Sequence, residues 1–94
     1  MKVRLHNTWN LGENEQGYIL YNCRLYSKLP PRKQIYIVNL CLKVGDEYSK
    51  ALLEAVTTDE KILCIATGHY MDESNLCKYV RKFYESFSID EFEK

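Results

Sequence analysis

The sequence predicts an α+β domain, a small two-layer sandwich of order βββαβα with a mainly antiparallel sheet and two helices. Three observations carry that reading. Apolar and polar residues alternate in three early stretches, apolar residues recur at helical spacing in two later ones, and glycine or proline punctuates most of the joins.

The elements follow in chain order. Val3, Leu5 and Trp9 share one parity and Arg4, His6 and Thr8 the other, so residues 2–9 form a half-buried strand with Trp9 inward. Gly12 and Gly17 bracket a polar turn. In residues 18–26, Ile19, Tyr21, Cys23 and Leu25 make an apolar face, and Tyr18, Leu20, Asn22, Arg24 and Tyr26 a mixed one. Pro30 and Pro31 cannot donate to a ladder, so residues 27–34 are a connecting loop that carries Lys28, Arg32 and Lys33. Residues 35–44 are the most apolar stretch and read as the central strand, with Tyr36, Val38, Leu40 and Leu42 on one side and Ile35, Ile37, Asn39 and Cys41 on the other.

From Gly45 and Asp46 to about residue 56, Tyr48, Ala51, Leu52, Ala55 and Val56 keep the spacing of one buried helical stripe. Residues 62–66 read as a short strand covered on both faces. Asp72 then caps a last helix, with Met71 and Leu76 as its hydrophobic staple. Leu76, Tyr79, Val80, Phe83 and Phe87 face inward on that helix, and Lys78, Arg81, Lys82 and Glu85 face water. Residues 88–94 form an acidic tail that frays.

The 94 residues suit a single domain spanning 1–94. A content of 46% hydrophobic against 28% charged residues is too apolar for a disordered chain. No apolar run is long enough to cross a bilayer, and residues 1–7 lack a secretory apolar core, so no membrane partner and a cytoplasmic location are expected. Net charge is zero, which excludes strong overall steering toward nucleic acid. The charge is nevertheless uneven: residues 1–43 hold seven cations against two carboxylates, +5, balanced by −5 in residues 44–94.

Cys23, Cys41, Cys64 and Cys77 show neither C-x-x-C spacing nor a paired histidine module, so metal and other cofactors are not expected. The four thiols read as reduced, buried and structural, with Cys23 and Cys41 the strand pair that would bridge if any did. The imidazoles of His6 and His69 are the groups that titrate near neutrality. A nucleophile built from Cys64 and His69 is disfavoured, because a thiol inside an apolar strand ionises poorly. The glycine-bearing segment 67–69 lacks both phosphate-loop patterns, and Asp72 and Glu73 would repel an anion there.

The expected function is therefore contact. The chain reads as a non-enzymatic protein-binding module, an adaptor, regulator or inhibitor of the kind that phages and mobile elements often encode. Tyr70, Tyr84, Glu85, Asp90, Glu91 and Phe92 would form its acidic, aromatic docking patch for a protein partner or a second copy in a homodimer. The alternative is a single-stranded RNA or DNA binder, with Tyr18 and Tyr26 stacking on bases while Arg24, Lys28, Arg32 and Lys33 follow the phosphates.

Overall fold

A computed structural model of the chain describes residues 12–94. The expected strand at residues 2–9, with Trp9 and His6, lies outside the described residues.

Among the described residues there is no strand, and the sandwich is replaced by an all-helical domain. Six α-helices follow one another: α1 Glu13–Arg24, α2 Pro31–Gly45, α3 Ser49–Thr57, α4 Ile62–Gly68, α5 Glu73–Ser86 and α6 Ile89–Glu93. Short 3-10 turns at Tyr26–Lys28 and Asp46–Tyr48 lead out of α1 and into α3.

The three stretches read as strands within this region satisfy a helical frame as well. In α1 the buried residues are Gln16, Ile19, Leu20 and Cys23, the i, i+3, i+4, i+7 series of one helix face. In α2 they are Ile37, Leu40, Cys41 and Gly45, the i, i+3, i+4, i+8 series that also lies on one helix face. In α4 they are the adjacent Ile65 and Ala66, too few to define any period. β-Branched and aromatic residues favour strands only weakly, and burial of a helical stripe outweighs that preference. Pro31 fits as the first residue of α2, where its missing N–H costs no helical bond.

Two apolar clusters fill the interior. The larger joins Ile19 and Cys23 of α1, Ile37, Leu40 and Cys41 of α2, Leu52 and Val56 of α3, Phe83 and Tyr84 of α5, and Phe87 and Phe92 beyond it. The smaller joins Ala51 and Ala55 of α3, Ile65 and Ala66 of α4, and Leu76 of α5. Val80 packs against both, so α5 ties them together. The two helices expected from the sequence are present, and Met71 packs against the smaller cluster to which Leu76 belongs. Asp72 holds the N-cap position without a side-chain bond to the helix.

Two joins depend on unusual backbone. At the end of α2 the chain reverses so tightly that a Cβ on Gly45 would stand 3.2 Å from Leu52 Cδ2, and Asp46 takes φ 50°. At the end of α4 the N–H of Met71 donates to the Ala66 carbonyl at 3.0 Å and that of Tyr70 to the Thr67 carbonyl at 3.2 Å. These bonds make a Schellman motif whose left-handed position, φ 55°, is filled by Tyr70 instead of glycine. Replacing Tyr70 with Gly removes a Cβ clash without removing a buried contact, since Tyr70 is 96% exposed. The expected result is a gain of about 0.5–1 kcal/mol, read as a rise of a few degrees in the thermal midpoint.

Most of the acidic tail expected to fray is folded as α6. Ser88 caps α6 by accepting from the Glu91 N–H through its hydroxyl, and Phe92, three residues into that helix turn, is 1% exposed. The reason is apolar: Ile89 and Phe92 are three apart and together turn one side of α6 onto the larger cluster.

Candidate functional site

The acidic, aromatic patch expected from the sequence is divided by the fold. Tyr84 is 8% exposed and Phe92 1%, so both are core residues and neither can present a ring to a partner in this conformation. Tyr84 is buried because the inner stripe of α5 is wider than the sequence suggests, running over Phe83, Tyr84 and then Phe87. Glu85 is half-buried beside Arg81, with Arg81 Nε 3.4 Å from Glu85 Oε1. Asp90 and Glu91 are exposed on α6, while Tyr70 stands almost fully exposed on the α4–α5 turn.

The alternative nucleic-acid set loses the sheet face that was to carry it. Tyr18 sets its ring edge-on to Phe92 at 6.3 Å and donates its hydroxyl to Glu93. Tyr26 is half-buried against the larger cluster, and its carbonyl accepts from Gln34 Nε2 at 2.8 Å. Arg24 pairs with Asp59, joining α1 to the loop before α4, and its Nε is buried without a hydrogen-bond partner. Lys33 lies over the Phe92 ring at 4.9 Å with its ammonium 3.8 Å from Glu93. Lys28 and Arg32 remain exposed. The rings and two of the four cations thus hold the protein's own helices together.

Two of the four thiols differ from the expectation that all are buried. Cys23 and Cys41 are buried and unbridged within the larger cluster, whereas Cys64 and Cys77 are exposed. The reversal follows from the helical frame, which turns residue 64 outward while Ile65 and Ala66 face in. Burial pushes the Cys41 thiol up to about 12, and raises Cys23 further, with the neighbouring Cys41 thiol adding to the effect. Desolvation by burial raises the Cys77 thiol, and the nearby Glu73 carboxylate adds to it. Cys64 lines an open depression with Glu54, Thr58, Asp59, Glu60 and Lys61. Beside it, His69 Nε2 stands 2.8 Å from Glu54 Oε2, tying the end of α4 to α3. That contact links two helices on an accessible surface, with substantial exposure of both partners. Among the described residues no group of three or more His, Cys, Asp or Glu is placed to hold a metal ion.

One surface was missed by sequence reasoning. Ile35 is 58% exposed and Leu42 53%, and with Val38 and Asn39 they run i, i+3, i+4, i+7 along the outer side of α2. Their stripe lies opposite the buried one of Ile37, Leu40 and Cys41, so α2 is apolar on two sides and only one is covered. Exposed Arg32 and Lys43 border it near the two ends, and α2 contains no carboxylate. The signal was present as a second helical series within residues 35–42, visible only once that stretch is read as a helix.

No described helix is long and apolar enough to cross a membrane. Comparisons with protein-family models, with curated proteins and with solved structures find no match, so the geometry of this chain alone carries its functional reading.

Proposed function

We propose that the chain is a protein-binding module whose contact surface is the outer side of α2, and that its partner offers an acidic, amphipathic segment. The observation that carries this is the pairing of Ile35 and Leu42, both more than half exposed, on a helix whose charged residues are all cationic. An apolar stripe with a cationic border complements an apolar stripe with an acidic one, and the like-charged border disfavours basic partners. Tyr70 supports a binding role from a second place, because a ring held at 96% exposure in a left-handed backbone position does nothing for the core.

The test is quantitative affinity capture from the native host, comparing the wild-type chain with Ile35→Glu/Leu42→Glu. Both substitutions fall at exposed positions and leave the thermal midpoint within a few degrees. The expected result is a protein recovered by the wild type, insensitive to nuclease, whose recovery falls at least about tenfold with the double variant, the cost of two interface anchors. Equal recovery by the two chains would refute the assignment, and recovery that nuclease abolishes would return the choice to nucleic acid.

A further inference from the structure

The second surface is already occupied. Phe92 inserts its ring among Tyr18, Tyr36 and Phe87 at centroid distances of 6.3, 5.6 and 5.1 Å, with the Lys33 ammonium above it at 4.9 Å. Glu93, next in sequence, accepts from the Tyr18 hydroxyl and stands 3.8 Å from Lys33. The Ser88 N–H donates to the Tyr36 hydroxyl at 2.8 Å. α6 is therefore bound as a peptide ligand is bound in a groove: one aromatic anchor in a ring-lined socket, a cation for the adjoining carboxylate, and a hydrogen bond at the entering end. Only Phe87 and Ser88 separate it from α5, and Asp90 and Glu91 remain in solvent.

We propose that the socket formed by Tyr18, Lys33, Tyr36 and Phe87 is a peptide-binding site for an acidic segment of another protein that carries an aromatic anchor followed by a carboxylate, and that α6 is its built-in competitor. The occupant's chemistry is read from the bound segment itself. The ring fills the socket, and the carboxylate after it meets Lys33 and Tyr18. The incoming segment and α6 exclude each other, so its apparent affinity is reduced by the fraction of molecules in which the socket is closed. This site is separate from the outer side of α2, and either can fail without the other.

The probe is a synthetic peptide of residues 88–94, titrated into the full isotope-labelled chain and followed by the amide resonances of Tyr18, Lys33 and Tyr36. Phe92→Ala empties the socket in cis. It is expected to bind the peptide at least about tenfold more tightly than the wild type, as removal of a latch closed in about nine of ten molecules requires. Adding Lys33→Glu to that variant should reverse the gain, and a peptide with serine in place of its phenylalanine should not bind. Should Phe92→Ala lose its helical far-ultraviolet spectrum, Glu93→Lys serves instead: it weakens the latch by removing the Lys33 and Tyr18 contacts while the ring stays available to the core, and is expected to bind the peptide more tightly than the wild type by a smaller factor. Absence of peptide binding to a folded open variant, or equal affinity for open and wild-type chains, would overturn the proposal. So would a wild-type chain that is dimeric by light scattering, with the socket filled by the α6 of a second copy.

Discussion

Ile37→Ala is expected to lower the unfolding free energy by about 2–4 kcal/mol, whereas Ile35→Ala, two residues earlier, is expected to change it by less than about 0.5 kcal/mol. Ile37 is fully buried in the larger cluster, and removing its methyl groups leaves a cavity among Leu40, Leu52 and their neighbours. Ile35 is 58% exposed and leaves none. The pair also discriminates folds. In a strand, residues 35 and 37 point to the same face and respond alike, but in a helix they lie about 200° apart. Urea unfolding of both variants, with the slopes compared to confirm a common transition, measures the difference. Equal losses would contradict the helical α2.

The second large effect is alkaline unfolding. Burial raises the Cys41 thiol from an ordinary 9.0 to about 12, raises Cys23 beyond that, and also raises the Tyr84 phenol, on which the nearby Cys23 is a second influence. Each group has a folded-state pKa above its unfolded one. The unfolded chain therefore releases protons first as pH rises, and the stability contributed by the neutral groups is complete below the unfolded pKa and lost on the way up to the folded one. The window opens near pH 9 and extends to about 12. Within it each thiol that must be kept neutral in the core weakens folding by at most about 1.4 kcal/mol per pH unit, so stability falls progressively across the window. Urea midpoints at rising pH in reducing buffer should fall steeply above the thiol range, and Cys23→Ala with Cys41→Ala should flatten that fall. A midpoint unchanged between neutral and strongly alkaline buffer would show that these thiols are not held in the core.

Legibility in the sequence varied from element to element for a physical reason. α3 and α5 were readable because their apolar residues fit one period only: Ala51, Leu52, Ala55 and Val56 match no alternating pattern, and neither do Leu76, Val80 and Phe83. α1 and α2 fit both periods, since apolar residues nearly fill residues 18–25 and 35–44, and composition rich in isoleucine, valine and tyrosine tipped the reading toward strands. The candidate site inherited that error. Ile35 and Leu42 fell on opposite faces of an imagined strand, and form one stripe only on a helix. Tyr84 and Phe92 stand outside the simplest inner stripe, which alone would leave them at the surface, and tertiary packing buries both.

The sequence by itself determined the apolar content needed for a core, the uneven charge and the two single-period helices, because these depend on composition and local spacing alone. Only the tertiary structure decided that α1, α2 and α4 are helices, which side of α2 stays uncovered, and that the acidic C-terminal segment lies in an aromatic socket. Those outcomes depend on which surfaces remain to be buried once every other element has been placed, a competition among distant residues that no local window contains.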